Sequence, residues 1–175
     1  MEDREKLIKE KINEEEEKEI LQLDGIKLFI WEKLRNEKKF KVDEILIDPK
    51  FKIKLTECEA TVSIDFLLTI GENSFMVIKC SSSAIESWER YVTAFARSVK
   101  DYQIPYAMVT DGKNAKIINV IKGTIVGESI DNCFTREQAI ELMNGFQRVP
   151  CPENRLEKEK RIIYAFEGIK CPTVK

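Results

Sequence analysis

The sequence predicts an α/β fold in which a mixed central β-sheet is flanked by helices. Between residues 42 and 80, hydrophobic residues alternate with polar ones, as in half-buried β-strands, whereas on either side they recur every three or four residues, as in helices. A short apolar run at residues 104–110 follows the second helical stretch, where a crossover would place a buried parallel strand. The order of helix, three strands, helix and strand predicts an αβββαβ core.

Length and composition favour a single domain. The chain has 175 residues, of which 43% are hydrophobic and 34% are charged, so it can bury one sizeable core. We divide it into a charged N-terminal helical segment (1–24), an α/β core (25–130) and a C-terminal helical extension (131–175). No apolar run approaches the roughly 18 residues that span a bilayer, and the charged N-terminus is unlike a signal peptide. We therefore expect a cytoplasmic protein that is not associated with a membrane.

The first part of the chain predicts helices. Segment 1–24 carries a sparse apolar stripe among many Glu and Lys residues, which indicates one charged helix or two short ones. Asp24 and Gly25 mark a break, after which apolar residues at helical spacing predict a helix that ends at Asn36.

The alternating region predicts four strands. Residues 42–47 and 51–55 alternate as strands do, and Pro49 between them indicates a bend or a sheet edge. Residues 61–70 predict one long strand, which a tight turn connects to a partner strand at 74–80. The last two strands should therefore form a β-hairpin.

The rest of the chain predicts three further helices and a second hairpin. Apolar residues from Ile85 to Val99 recur at helical spacing, and one of the preceding serines is expected to cap this helix. After the strand at 104–110, the predicted elements are hairpin strands at 115–121 and 124–127 and helices at 135–143 and 155–166.

The histidine and cysteine content limits the kinds of catalytic and metal site that the chain can form. The chain contains no histidine, which removes histidine-dependent nucleophilic sites, so any catalysis must use carboxylates, lysine or thiol. The five cysteines are widely spaced without a CxxC pair, which predicts reduced, mostly buried thiols. The repeated Cys-Pro at Cys151 and Cys171 leaves open a bridge or a shared metal.

Asp65 is the residue that most strongly indicates a site, since Asp is disfavoured in strands and apolar residues surround this one. If the hairpin turns at residues 71–73, facing residue numbers sum to about 144, which places Asp65 opposite or near Lys79. A carboxylate that holds Mg²⁺ and a lysine that stabilises phosphate charge are the minimal core of a metal-dependent phosphodiesterase. The alternative is an ordinary cross-strand ion pair.

Five segments, taken in order, carry a resemblance to a known family. They are residues 63–68 (SIDFLL), 75–80 (FMVIKC), 87–91 (SWERY), 94–97 (AFAR) and 104–112 (IPYAMVTDG). Over about residues 25–130 the sequence resembles the N-terminal domain of type I restriction enzyme R subunits, in the PD-(D/E)XK nuclease-like superfamily. This resemblance implies a restriction-endonuclease-like core.

The resemblance implies Mg²⁺-dependent cleavage of DNA by an Asp and a Glu-x-Lys motif on neighbouring strands. Asp65 matches the Asp and Lys79 matches the Lys, but Val77 stands at the Glu position and cannot bind a metal. Glu89, on the following helix, and Glu32, on the first core helix, are the candidates that could replace the missing ligand.

Two functions are therefore expected. In the first, the domain is an Mg²⁺-dependent endonuclease with Asp65, Lys79 and Glu89 as catalytic residues and Asp65, Glu89 and Glu32 as metal ligands. In the second, it is a catalytically inactive nuclease-fold module that binds nucleic acid or a protein partner. A second carboxylate beside Asp65 would favour the first.

DNA is the expected partner. Residues 33–54 contain eight basic and four acidic side chains, and they form either a phosphate-facing surface or a solvated charged face. No phosphate-binding loop motif occurs in the sequence, which excludes ATP-driven translocation by this polypeptide.

Overall fold

The computed structural model describes residues 2–21, 25–55 and 58–171. The break predicted at Asp24 lies outside the described residues, as do the apolar side chains predicted near the end of segment 1–24. Within the described residues the α-helices are Glu2–Leu21 (α1), Gly25–Asn36 (α2), Glu89–Ser98 (α3), Arg136–Met143 (α4) and Glu153–Glu167 (α5). The β-strands are Ile45–Ile47 (β1), Lys50–Leu55 (β2), Cys58–Ser63 (β3), Phe66–Ile70 (β4), Asn73–Cys80 (β5), Tyr106–Thr110 (β6), Asn114–Asn119 (β7) and Thr124–Ser129 (β8). None of these helices combines the length and apolar character that a membrane span requires.

Six of the strands form one mixed sheet in the order β1-β4-β5-β6-β7-β8. β5 and β6 run parallel, whereas the other neighbours run antiparallel. A parallel pair needs a crossover connection, and α3 supplies it. The sequence α2, β1, β4, β5, α3, β6 has the predicted αβββαβ order, so the predicted α/β fold with a mixed sheet is confirmed. Strands β2 and β3, which lie between β1 and β4 in the sequence, form a separate two-stranded hairpin.

Helices cover both faces of the six-stranded sheet. One apolar core lies between the sheet, α3, α5 and the β2–β3 hairpin, and it contains Val77 and Phe95. The other core lies between the sheet, α2 and α4, and it contains Trp31 and Phe66. Neighbouring residues of a strand point to opposite faces, so the strands of the sheet supply both cores.

The single long strand predicted at residues 61–70 is wrong, because the chain leaves β3 in one sheet and enters β4 in another. Ile64 and Asp65 form the connection. The Ile64 side chain is buried in the core beneath α3, and the Asp65 carbonyl accepts a hydrogen bond from the Asp48 N–H at 3.0 Å. These contacts hold the chain at the point where it changes sheets.

Two other local predictions differ from the structure. The strand predicted at 42–47 is shorter, because Val42–Glu44 form a 3-10 turn in which the Glu44 carboxylate accepts a hydrogen bond from the Lys41 N–H at 2.8 Å. No serine caps α3, because a 3-10 turn, Ile85–Trp88, leads directly into it. The boundaries of both elements are therefore set by local turns.

The helix α5 is joined to α3 by a buried ionic contact. Glu159 accepts hydrogen bonds from both Arg90 Nη atoms and from Arg97 Nη1, each at 3.1 Å. Its exposed fraction is only 2%, and Arg97 is further held by a hydrogen bond from Nη2 to the Val120 carbonyl at 3.0 Å. Glu159 therefore supplies the counter-charge that the buried Arg97 guanidinium requires.

A disulfide links Cys58 in β3 to Cys171, with the Cα atoms 5.4 Å apart. The expectation of reduced thiols is wrong for this pair, and Cys171 is bonded to Cys58 rather than bridged to Cys151. Cys133 and Cys151 are free thiols. The Tyr164 hydroxyl of α5 also donates to the Cys58 carbonyl at 2.8 Å. The C-terminal segment is thus attached to the β2–β3 hairpin at two adjacent points.

Candidate functional site

The candidate site lies where the β2–β3 hairpin meets the six-stranded sheet. Asp65 directly precedes β4, and Lys79 is the next-to-last residue of β5. Phe66 pairs with Ile78, so the sequence-based register is confirmed at this end of the hairpin. Lys79 Nζ lies 3.9 Å from Asp65 Oδ2. The two residues are therefore neighbours, as their positions in the sequence predicted.

Donors surround the Asp65 carboxylate. The Cys80 N–H donates a hydrogen bond to Oδ2 at 2.6 Å, and Lys27 Nζ of α2 lies 3.6 Å from Oδ1. The exposed fraction of the Asp65 side chain is 17%. Both oxygens of a largely buried carboxylate thus face positive or N–H groups.

Asp48, in the bend between β1 and β2, supplies a second carboxylate. Its Oδ1 accepts a hydrogen bond from Lys27 Nζ at 2.6 Å, and its backbone has a positive φ of 48°. Asp is one of the few residues that adopt this left-handed conformation. The bend thereby directs the Asp48 side chain toward Lys27, whose ammonium bridges Asp48 and Asp65.

Burial opposes the charged form of both Asp65 and Lys27 in this centre. It raises the pKa of Asp65 above the ordinary 3.8, although the Cys80 N–H, Lys79 and Lys27 each act to lower it. The nearby Asp48 charge adds to the increase. For Lys27, burial lowers the pKa, but the hydrogen bond to Asp48 and the charge of Asp65 outweigh burial and raise it above 10.5. Lys27 is therefore a firmly protonated cation between two acids.

Asp65 is expected to cost stability at neutral pH. Its folded pKa lies above its unfolded value, so the folded protein binds the proton more tightly, and stability falls as the pH rises from 3.8 through the folded pKa. An Asp65→Asn variant keeps an oxygen that can accept from the Cys80 N–H. We expect it to be at least as stable as the wild type at neutral pH, with a difference that shrinks toward about pH 4. Urea unfolding at both pH values measures this.

Asp111→Asn is the matched control for that prediction, because the pKa of Asp111 is shifted in the opposite direction to that of Asp65. Backbone N–H groups of Lys113 and Asn114 lower the pKa of Asp111, so its ionised form stabilises the fold above 3.8 and loses that contribution as the pH falls. Asp111→Asn should thus be less stable than the wild type at neutral pH. An Asp65→Asn variant that is also less stable there would contradict the electrostatic description.

Aromatic side chains line the Lys79 side of the site. Lys79 Nζ lies 4.7 Å from the centroid of the Trp88 ring, which is a cation–π distance. Trp88 packs edge-on against Tyr91, whose hydroxyl donates to Glu167 of α5. Burial, this hydrogen bond and the charges of Glu167 and Asp65 raise the pKa of Tyr91. Lys79 is thus held between a carboxylate and an aromatic ring.

The structure does not bring Glu89 or Glu32 to Asp65. Glu89 opens α3 and lines a shallow pocket with Arg90 and Arg97, where its charge acts on Lys116. Glu32 is exposed on α2. The charge of Asp48, by contrast, raises the pKa of Asp65.

Val77 is the residue that the resemblance places at the Glu position of the motif. It is completely buried in the core beneath α3, and its cross-strand partners are Leu67 and Ala107. Across the described ranges, no three Asp, Glu or Cys side chains are grouped in a way that could hold a metal ion.

Sequence reasoning missed Lys27 and Asp48. Asp48 had one available signal, because it precedes Pro49 at a break between two strands, where a carboxylate is free to turn away from a sheet. Lys27 had none, since a lysine near the start of an amphipathic helix is usually solvated.

These features define an α/β domain of αβββαβ order with a charged centre of two aspartates and two lysines beside the ends of β4 and β5. The family model for the type I restriction enzyme R protein N terminus (HSDR_N) matches residues 28–132, more than half of the chain. The chain belongs to this family. Comparison with curated proteins and with solved structures finds no match.

Proposed function

We propose that the chain is a nucleic-acid-binding module of the PD-(D/E)XK nuclease fold that binds DNA without cleaving it. The observation that carries this proposal is the position of the Lys27 ammonium, 2.6 Å from Asp48 Oδ1 and 3.6 Å from Asp65 Oδ1. A cation is therefore already present between the two carboxylates that a metal would need.

The residues of the site do not fit Mg²⁺ in this arrangement. Mg²⁺ requires oxygen ligands in a near-octahedral shell, usually from one or two carboxylates together with phosphate and water. One carboxylate oxygen of Asp65 accepts from the Cys80 N–H, and the other faces Lys27. A divalent ion beside the Lys27 ammonium would be repelled, and Val77 offers no ligand in compensation.

Support for nucleic acid as the partner comes from the family and from a lysine of the site that solvent can reach. The family is that of a restriction enzyme subunit, and the centre combines two lysines with an aromatic ring. Lys79 has a side-chain exposure of 26%, so its ammonium can be reached from solvent. Lysine ammonium groups bind phosphate oxygens without reference to base sequence. A protein partner is the alternative for a module that does not cleave.

Mg²⁺-dependent endonuclease activity is the second candidate function. Asp48 favours it, because a second carboxylate lies beside Asp65, which is the feature expected of a metal-dependent site. This function requires Lys27 to leave its position between the carboxylates.

The deciding experiment combines binding and cleavage. Purified protein is incubated with supercoiled and single-stranded DNA in Mg²⁺ or Mn²⁺, and complex formation is followed on the same substrates. We expect binding without cleavage. Cleavage by the wild type that is lost in both Asp65→Ala and Lys79→Ala would overturn the proposal and establish the endonuclease. Variants at Glu89 and Glu32 test the ligand roles predicted for those residues.

Replacing Lys27 is expected to create a site for a divalent cation. In Lys27→Met the side chain keeps its length but loses a positive charge that lies within about 4 Å of both carboxylates, a contribution of several kcal/mol at an effective dielectric constant of 20. We expect Mn²⁺ affinity to rise at least about tenfold over the wild type in a calorimetric titration.

Lys33→Met on the same helix is the control, because Lys33 pairs with Glu37 and Asp131 instead. It should leave Mn²⁺ affinity unchanged. Equal Mn²⁺ binding by the wild type and Lys27→Met would show that Lys27 does not exclude the metal.

A further inference from the structure

The β2–β3 hairpin presents a row of lysines on its outer face. Lys50, Lys52 and Lys54, hereafter the lysine ladder, are exposed, whereas the alternate residues of β2 face inward and are half-buried or buried. The inward side packs on α3 and α5, where the Phe51 and Phe95 rings lie 5.6 Å apart. Since the inward side holds the hairpin in place, the ladder is displayed on a fixed surface.

The spacing of the lysine ladder and the residues opposite it suit the binding of a polyanion. Alternate residues of a strand lie about 6.6 Å apart on one face, so the three ammonium groups form an evenly spaced line. Opposite Lys50 and Lys52 the exposed residues of β3 are Ser63 and Thr61, whose hydroxyls can donate to phosphate oxygens. Glu59, opposite Lys54, is the acidic residue on this face within the described part of the hairpin.

The ladder differs from Lys33 and Arg35, two other basic residues of the stretch 33–54, in how its charges are used. Lys33 forms ion pairs with Glu37 and Asp131, and Arg35 donates to the Phe40 carbonyl. No ion pair between described residues uses a ladder ammonium. Its positive charge is therefore directed outward.

The ladder begins at the candidate site. Lys50 follows Asp48 by two residues, and its partner Ser63 precedes Asp65 by two residues. The lysine ladder thus leads along the hairpin toward the centre that contains Lys79.

We propose that the phosphate backbone of a nucleic acid lies along the outer face of the β2–β3 hairpin, with the lysine ladder binding successive phosphates on the path to Lys79. This inference rests on the proposed binding function and identifies the surface that performs it. The contacts are to phosphates, so binding along this face should be strongly dependent on salt and weakly dependent on base sequence.

The test compares three triple variants by fluorescence anisotropy with a labelled DNA duplex over a series of salt concentrations. K50Q/K52Q/K54Q removes the ladder, K50R/K52R/K54R keeps its charge, and K6Q/K9Q/K11Q removes the same charge from exposed positions of α1. For the ladder Gln variant we expect affinity at about 0.1 M salt to fall tenfold or more, and the slope of log affinity against log salt to shrink by about 2 to 3. The Arg variant and the α1 variant should bind as the wild type does. Unfolding midpoints verify that all three remain folded.

The outcomes separate the two proposals. If the wild type binds DNA and the ladder Gln variant binds equally well, the ladder is not the binding surface, although the module still binds nucleic acid. If the wild type does not bind DNA, the proposed function fails and the inference fails with it. Binding to vesicles that contain phosphatidylserine, in the absence of DNA binding, would assign the ladder to an anionic membrane surface and would overturn the inference.

Discussion

Replacing Glu159 with glutamine is expected to lower the free energy of unfolding by about 3 to 5 kcal/mol. Glu159 is 2% exposed and pairs with Arg90 and Arg97, and the Arg97 side chain is itself 9% exposed. Glutamine keeps the shape and one acceptor oxygen but removes the negative charge. The Arg97 guanidinium would then remain buried without a counter-charge, which is the costly way to break such a contact.

Urea denaturation measures this effect, and Glu157→Gln on the same helix is its control. Glu157 pairs with Arg161 at i,i+4, and both side chains are at least half exposed, so its loss should cost no more than about 0.5 kcal/mol. Equal destabilisation by the two variants would mean that the contact between α3 and α5 does not stabilise the fold.

Loss of the Cys58–Cys171 disulfide is expected to have the second large effect. The bond closes a loop across a sequence separation of 113 residues. In the chain-entropy model, closing a loop of about 100 residues stabilises the folded state by up to about 4.7 kcal/mol, and measured values are typically about 2 to 4 kcal/mol. We expect Cys58→Ser, or reduction of the wild type, to lower stability by an amount in this range.

Cys151→Ser is the control for the disulfide, because Cys151 is free. Its stability should match that of the wild type and should respond to reductant in the same way. Alkylation under denaturing conditions, followed by mass measurement, counts the free thiols. Five free thiols in the untreated protein, together with an unfolding midpoint that is independent of reductant, would show that this bond does not form.

The parts of the fold that are determined by residues close together in the sequence could be predicted. The tight turn after Ile70 and the alternation on both sides of it predicted how β4 and β5 pair, and this brought Asp65 and Lys79 together correctly. The helix predicted at 135–143 is confirmed as α4, and Thr135 caps it, because its hydroxyl accepts from the Gln138 N–H.

The change of sheets at Asp65 could not be predicted in this way. Hydrophobic and polar residues continue to alternate through Ile64, Asp65 and Phe66, although β3 and β4 belong to different sheets. A strand that changes partners at a bend keeps the same periodicity, so only tertiary contacts reveal the break.

The failure to predict Lys27 and Asp48 as part of the candidate site has a similar cause. Lys27 and Asp48 meet Asp65 only after α2 docks on the sheet and the chain bends before Pro49. Both are long-range events that single-sequence patterns do not encode. The disulfide belongs to the same class, since cysteine spacing does not specify which thiols pair.

The contact of Glu159 with Arg90 and Arg97 joins the segment matched by the family model to a helix outside that segment. The segment shared with the family ends at residue 132, but the acid that neutralises Arg97 belongs to α5, beyond that limit. The matched segment therefore lacks the acid that pairs with the buried Arg97. A family member that continues differently after this segment needs another acid at the same place or a different residue in place of Arg97. Among family members, we therefore expect the residue at the position of Arg97 to vary together with the segment that follows the matched region.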